Sequence, residues 1–91
     1  MQGTTKSGYE YNIDERVFQD WRFVAVLADC QKNRNNPLLS LAGVQELTRL
    51  AFGKDFDNYI NYIASKNDGF CPTEIVMLDI NEIFKNANAK N

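Results

Sequence analysis

Apolar positions along the chain recur at two different spacings, and the change from one to the other marks the elements. Over residues 4–13 the spacing is two. Tyr9, Tyr11 and Ile13 fall on one side, and Glu10 and Asn12 on the other, as in a strand with one covered face. Ser7-Gly8 reads as a two-residue turn, so residues 4–13 predict a β-hairpin. Two strands alone are marginal in water, so the aromatic face must lie on something apolar. From Asp14 onward the spacing becomes helical. Asp14 is a good N-cap, Glu15 suits the helix dipole, and Ile13 and Phe18 are spaced as a hydrophobic staple. A first helix is predicted over about residues 14–32. Asn36-Pro37 opens a second, over about 37–52, which stops at Gly53. Asp55 and Asp57 open a third, over about 54–67, and Pro72-Thr73-Glu74 a fourth, over about 72–87. Asn88 to Asn91 are expected to fray. The fold class expected is mainly α: a small four-helix domain with an N-terminal β-hairpin, one domain over residues 1–91.

Projecting each helix at about 100° per residue separates the faces. Val76, Ile80, Ile83, Phe84 and Ala87 form one stripe of the fourth helix, opposed by Asp79, Glu82, Lys85 and Asn86. Phe56, Tyr59, Ile60 and Ile63 point inward on the third, and Leu41, Val44, Leu47 and Ala51 on the second. The first helix is different because it carries two apolar stripes. Val17, Trp21, Val24 and Ala28 form one; Phe23, Val26 and Cys30 form another on nearly the opposite side. Either this helix is central, with the hairpin on one side and helices on the other, or one stripe docks another chain. The docking candidate is Phe23, Val26 and Cys30, extended by Ile75 and Leu78, which fall on the polar side of the fourth helix. Arg16 and Asp20 are spaced as a surface ion pair.

Composition narrows the chemistry. Ten Lys and Arg against twelve Asp and Glu give a net charge of -2, without the basic excess of a duplex-binding domain; no nucleic-acid partner is expected. The chain has no His, which removes the commonest general base and the commonest zinc ligand. Cys30 and Cys71 alone cannot complete a structural zinc shell. Met1 to Ser7 is polar and unlike a signal peptide, so a cytoplasmic setting with reduced thiols is expected. The longest apolar run, Phe23 to Ala28, has six residues, against the ~18 that suggest a membrane span. Asp29 and Cys30 are adjacent on a helix and point about 100° apart. Asp55 and Asp57 are explained by a helix start, and no glycine-rich loop cradles a phosphate. These features predict no enzyme, no catalytic residues, no metal and no cofactor.

The order of Lys6-Ser7-Gly8-Tyr9-Glu10-Tyr11, Ile13-Asp14, Asp20-Trp21-Arg22-Phe23 and Leu27-Ala28-Asp29 resembles that of small tail assembly chaperones of long-tailed phages and prophages of Gram-positive bacteria. So do Asp68-Gly69-Phe70, Pro72-Thr73-Glu74 and Glu82-Ile83-Phe84. The resemblance spans about residues 6–86 and is carried by caps, turns and core positions rather than by a chemical motif. It implies a non-catalytic protein that binds the tape-measure protein, keeps it soluble, helps recruit tail-tube subunits, and is absent from the mature virion. In many such phages the chaperone gene ends near a ribosomal slippage site. Ala89-Lys90-Asn91 can be encoded with the heptamer A AAA AAC, although Lys-Asn is unremarkable in a chain with eleven Asn. A homo-oligomer is compatible with either apolar stripe. The rival expectation is a small cytoplasmic helical regulator, antitoxin-like or host-factor-binding.

Overall fold

The structure, a computed structural model, describes residues 1–89, with the backbone alone for Asn88 and Ala89. Lys90 and Asn91, on which the slippage-site reading and part of the expected fraying fall, lie outside the described residues. The chain is mainly helical, with a small two-stranded antiparallel sheet at its N-terminus. Strand β1 (Gln2–Thr4) pairs with β2 (Glu10–Asn12) in the register Gln2 with Asn12, Gly3 with Tyr11 and Thr4 with Glu10. The helices are α1 (Trp21–Lys32), α2 (Pro37–Phe52), α3 (Phe56–Ser65) and α4 (Thr73–Ala89).

The hairpin begins two residues earlier than expected, and its loop is longer. The Thr5 N–H donates to Tyr9 O at 2.9 Å and the Gly8 N–H to Thr5 O at 3.0 Å. The loop is therefore Lys6-Ser7-Gly8, with Gly8 at φ 99°. A three-residue loop of this kind ends on a left-handed residue, and glycine adopts that conformation without strain. The alternation of faces holds: Tyr11 and Ile13 are buried, Tyr9 is half-buried, and Glu10 and Asn12 are exposed.

The predicted first helix is divided. Residues Glu15–Gln19 form a 3-10 turn capped by Asp14, and α1 starts afresh after Asp20. Asp20 is extended (φ -69°, ψ 133°), and its side chain accepts the Arg22 N–H at 2.8 Å. An N-cap needs such a non-helical backbone, so the helix cannot run through it. The expected Arg16–Asp20 pair is absent for the same reason. Arg16 pairs with Asp14 at 2.6 Å and Arg22 with Asp20 at 2.8 Å, one cap and one arginine each. These ion pairs hold both carboxyls down at about 2, chiefly through the side-chain hydrogen bonds from the arginines. The other boundaries lie close to expectation. Asn36 accepts the Leu39 N–H ahead of Pro37, and Gly53 ends α2 at φ 56°. A 3-10 turn, Gly53–Asp55, delays α3 by two residues.

The core draws on β2 and the residue after it, Tyr11 and Ile13, and on all four α-helices: Phe23 of α1, Leu47, Ala51 and Phe52 of α2, Tyr59 and Ile63 of α3, and Ile80 and Ile83 of α4. Its aromatic rings sort into two groups. Phe18, Phe23 and Phe84 meet edge to face at 5.3–5.9 Å between centroids. Tyr9 lies edge-on to Phe52 and Tyr59, which are themselves stacked at 4.3 Å. Such geometry adds about 0.5–1.5 kcal/mol per pair beyond the area buried.

Among the described residues, three polar side chains are buried, Thr5, Thr48 and Asp79, and only Asp79 is ionisable as an acid or base. Asp79, expected on the outer face of the fourth helix, is 1% exposed. Its Oδ2 accepts the Ser7 hydroxyl at 2.6 Å and the Tyr59 hydroxyl at 2.8 Å, and its Oδ1 accepts the Ser7 N–H at 3.1 Å. The Ser7 hydrogen is committed to Asp79, so Thr5 donates to Ser7 Oγ at 2.9 Å and itself accepts the Tyr9 N–H at 3.0 Å. Tyr62 donates to Ser7 O at 3.3 Å, and Tyr9 donates to Asp55 Oδ2 at 2.5 Å. The hairpin loop is thus fastened to α3 and α4 by hydrogen bonds to a buried carboxylate.

Removing that acceptor leaves three donors, the Ser7 N–H and hydroxyl and the Tyr59 hydroxyl, without a partner there. Asp79→Ala is expected to cost about 3–5 kcal/mol and Tyr59→Phe about 1.5–3 kcal/mol. Asp79→Asn, with one acceptor oxygen in place of two, should fall between them; urea unfolding monitored by circular dichroism measures the series. The same contacts set an alkaline limit. Burial, and then the hydrogen bond to Asp55, push the Tyr9 phenol up to about 12. Burial and Asp79 push Tyr59 in the same direction. The folded state holds these protons more tightly than the unfolded chain, where tyrosine loses its proton near pH ~10. The stability Tyr9 contributes is complete below pH ~10 and lost as the pH climbs through about 12, and that of Tyr59 is lost in the same direction. In an ultraviolet titration of tyrosinate, Tyr9→Phe should delete a late-ionising step.

Candidate docking surface

The residues singled out for docking divide. Phe23 is 4% exposed and enclosed by Phe18 and Phe84, so it belongs to the core and not to a docking surface. Val26 and Cys30 are half-buried and face the same way. The reason lies on α2. A Cβ built on Gly43 would stand 2.2 Å from Cys30 Sγ, so the absent side chain of Gly43 is the space that the thiol occupies. The stripe read as a docking surface is the inward face of α1. Ile75 is half-buried, packed against the core, and Leu78 is exposed. Leu78 lines a shallow depression with Lys6 and Phe84, and Phe84 separates it from Phe23. The five residues therefore do not make one surface.

The exposed apolar side chains lie elsewhere. On α1 they are Trp21, at 82% exposure, and Val24, with Ala25 and Ala28 beside them. On α2 they are Leu38, at 79%, with Leu39 and Leu41. Leu41 had been expected to point inward. Leu41 also forms part of the wall of a groove of about 460 Å³ between α2, α3 and the start of α4. Val44, Phe56, Ile60, Val76 and Met77 supply most of the remaining apolar lining, and Cys71 opens onto it. Leu38 lies one helical turn before Leu41, so it prolongs the same face toward the α2 N-terminus. The Arg49 guanidinium stands over the Phe56 ring at 4.6 Å, covering part of that ring with a cation while its charge stays in water.

Sequence reasoning had a usable signal for this surface. Pro37-Leu38-Leu39 places two leucines in the first turn of a helix, where little of the chain is available to cover them. It had none for Trp21, because the uninterrupted helix drawn through Asp20 joined Trp21 to Val17 in one inward stripe.

Neither cysteine is an activated thiol. Burial pushes both thiols up, with the Asp29 charge adding to the effect at Cys30. Thiol reactivity needs the opposite shift. Among the described residues, no buried side-chain nitrogen or oxygen lacks a hydrogen-bond partner, and no group of His, Cys, Asp or Glu is placed to hold a metal ion. Among the same residues, no helix is long and apolar enough to cross a membrane.

The α1–α2 junction makes a test of the inward assignment. An alanine in a helix interior normally gains ~1 kcal/mol over glycine. Gly43→Ala should instead destabilise by about 1–3 kcal/mol, because its methyl overlaps the Cys30 sulfur. In a Cys30→Ala background the same substitution should become stabilising. Thermal unfolding of the four proteins reads the sign reversal. No protein-family model, no curated protein and no solved structure matches the chain.

Proposed function

We propose that this protein is a small tail assembly chaperone of a long-tailed phage or prophage of a Gram-positive bacterium. In this reading it covers an apolar helical stripe of the tape-measure protein, helps bring tail-tube subunits to it, and transforms no substrate. It works in the bacterial cytoplasm and is left out of the finished virion. The reading joins the order of turns and caps along residues 6–86 to one structural observation, the open apolar groove between α2, α3 and α4 with leucines exposed at its edge. A long helix with an uncovered apolar stripe aggregates unless another amphipathic surface takes that stripe, and helix-in-groove docking is the mode this shape supports.

The docking residues in this reading are Leu38, Leu41 and Met77, not Phe23, Val26 and Cys30. The test is co-expression with the tape-measure protein. The wild-type chain should keep the tape-measure protein in the soluble fraction. Leu41→Asp with Met77→Asp should lose most of that effect, while circular dichroism shows an unchanged helical fold, since neither side chain is buried. A tape-measure protein that stays equally soluble with the double variant would remove the groove from the reading. One that is insoluble even with the wild type would remove the chaperone function.

A further inference from the structure

We propose that the outer face of α1 is a self-association surface, pairing antiparallel with α1 of a second copy of this chain. The inference does not rest on the chaperone reading. It starts from the way α1 is held. Phe23, Val26, Leu27 and Cys30 are committed to the interior, so Trp21, Val24, Ala25 and Ala28 are turned outward. Their spacing, i, i+3, i+4 and i+7, is that of a helix–helix seam. Trp21 is the only tryptophan of the chain and the most exposed of its large apolar side chains.

Charge chooses the occupant. Arg22 and Asp29 are seven residues apart, so both stand on the same edge of this seam, one at each end. A two-fold axis crossing the seam at Ala25 returns each edge to itself and reverses its direction. It sets Arg22 opposite the partner's Asp29, and Asp29 opposite the partner's Arg22, giving two identical ion pairs. Such a self-complementary contact is what a closed dimer requires. Asp20 already orients the Arg22 guanidinium, through Nε at 3.0 Å and Nη2 at 2.8 Å, which leaves Nη1 for the second carboxylate. Size agrees with charge. Antiparallel pairing lays the bulky Trp21 over the small partner's Ala25 and the partner's Ala28. Parallel pairing would set two indoles against each other and hold the alanines apart. The helix dipoles are also opposed in the antiparallel arrangement.

A seam of one short helix is small, so the dimer should be weak and concentration-dependent. The single indole reports on it directly. Between about 0.1 and about 100 µM, the Trp21 emission maximum should move to shorter wavelength in step with the rise in mass seen by sedimentation. Arg22→Glu and Asp29→Arg should each weaken the dimer about tenfold, and the two together should restore it to within about twofold. Ala25→Glu, which faces its own copy across the axis, should abolish the dimer. Circular dichroism should stay unchanged, because Ala25 is exposed and glutamate is a good helix former. A chain that stays monomeric with solvent-exposed emission up to about 1 mM overturns the proposal. So does a dimer whose dissociation constant ignores these substitutions, since its contact then lies on another face.

Discussion

The fold turns on a carboxylate in a place where carboxylates are costly. Asp79 accepts hydrogen bonds from a serine hydroxyl, a serine amide and a tyrosine hydroxyl, and its two donor residues, Ser7 and Tyr59, lie far apart in sequence. A buried carboxylate without such donors would be strongly destabilising. With them it is directional, which an apolar contact is not. The hairpin is short, and pairing alone would leave it marginal. The polar latch, with the touching rings of Tyr9 and Tyr62 beside it, fixes where the loop sits to within a hydrogen bond's tolerance. Tyr11 and Ile13 then descend into the core in the correct register, and the Asn86 amide donates to the Tyr11 hydroxyl at 3.3 Å from the next turns of α4.

Much of the architecture was legible in the sequence because it is written in local chemistry. Asn36-Pro37 starts a helix where it stands. Gly53 stops one, and the alternation of Tyr9, Tyr11 and Ile13 sets a strand face. These signals act over a few residues and need no knowledge of the rest of the chain. The division at Asp20 was harder for a definable reason. Asp14 and Asp20 are both good caps, each two residues before an arginine, and helical periodicity continues through the second one. Nothing local decides whether Asp20 opens a new helix or decorates an old one. The answer depends on whether Phe18 can reach Phe23 and Phe84, which is a tertiary fact.

Asp79 was placed outside because it is charged, and the same reasoning would be correct for most aspartates. Its helical angle held the contrary signal. It lies about 40° from Ile83, at the margin of the apolar stripe rather than opposite to it. A polar residue at a stripe's margin is buried when another element covers that margin, and the hairpin loop is that element. The faces of α1 were misassigned through a related limit. Both stripes are apolar, so hydrophobicity cannot rank them. The ranking comes from α2, where the missing side chain of Gly43 admits the Cys30 sulfur, and from the aromatic group that encloses Phe23. Phe23, Val26 and Cys30 turn inward together because all three depended on that one choice of face.

The latch and the uncovered face of α1 are consequences of each other. A hairpin free to settle anywhere could have covered the second stripe of α1, making that helix central to the domain. Asp79, Tyr59 and Tyr62 instead hold the loop against α3 and α4, and the aromatic face of β2 is used there. Among the described residues, no element covers Trp21, Val24 and Ala28. Restoring a simple hydrophobic core would favour an apolar residue at position 79. Retaining aspartate keeps the hairpin on one side and leaves the other side of α1 open to a second chain. The directional cost of one buried charge therefore sets which apolar surface this protein presents to its surroundings.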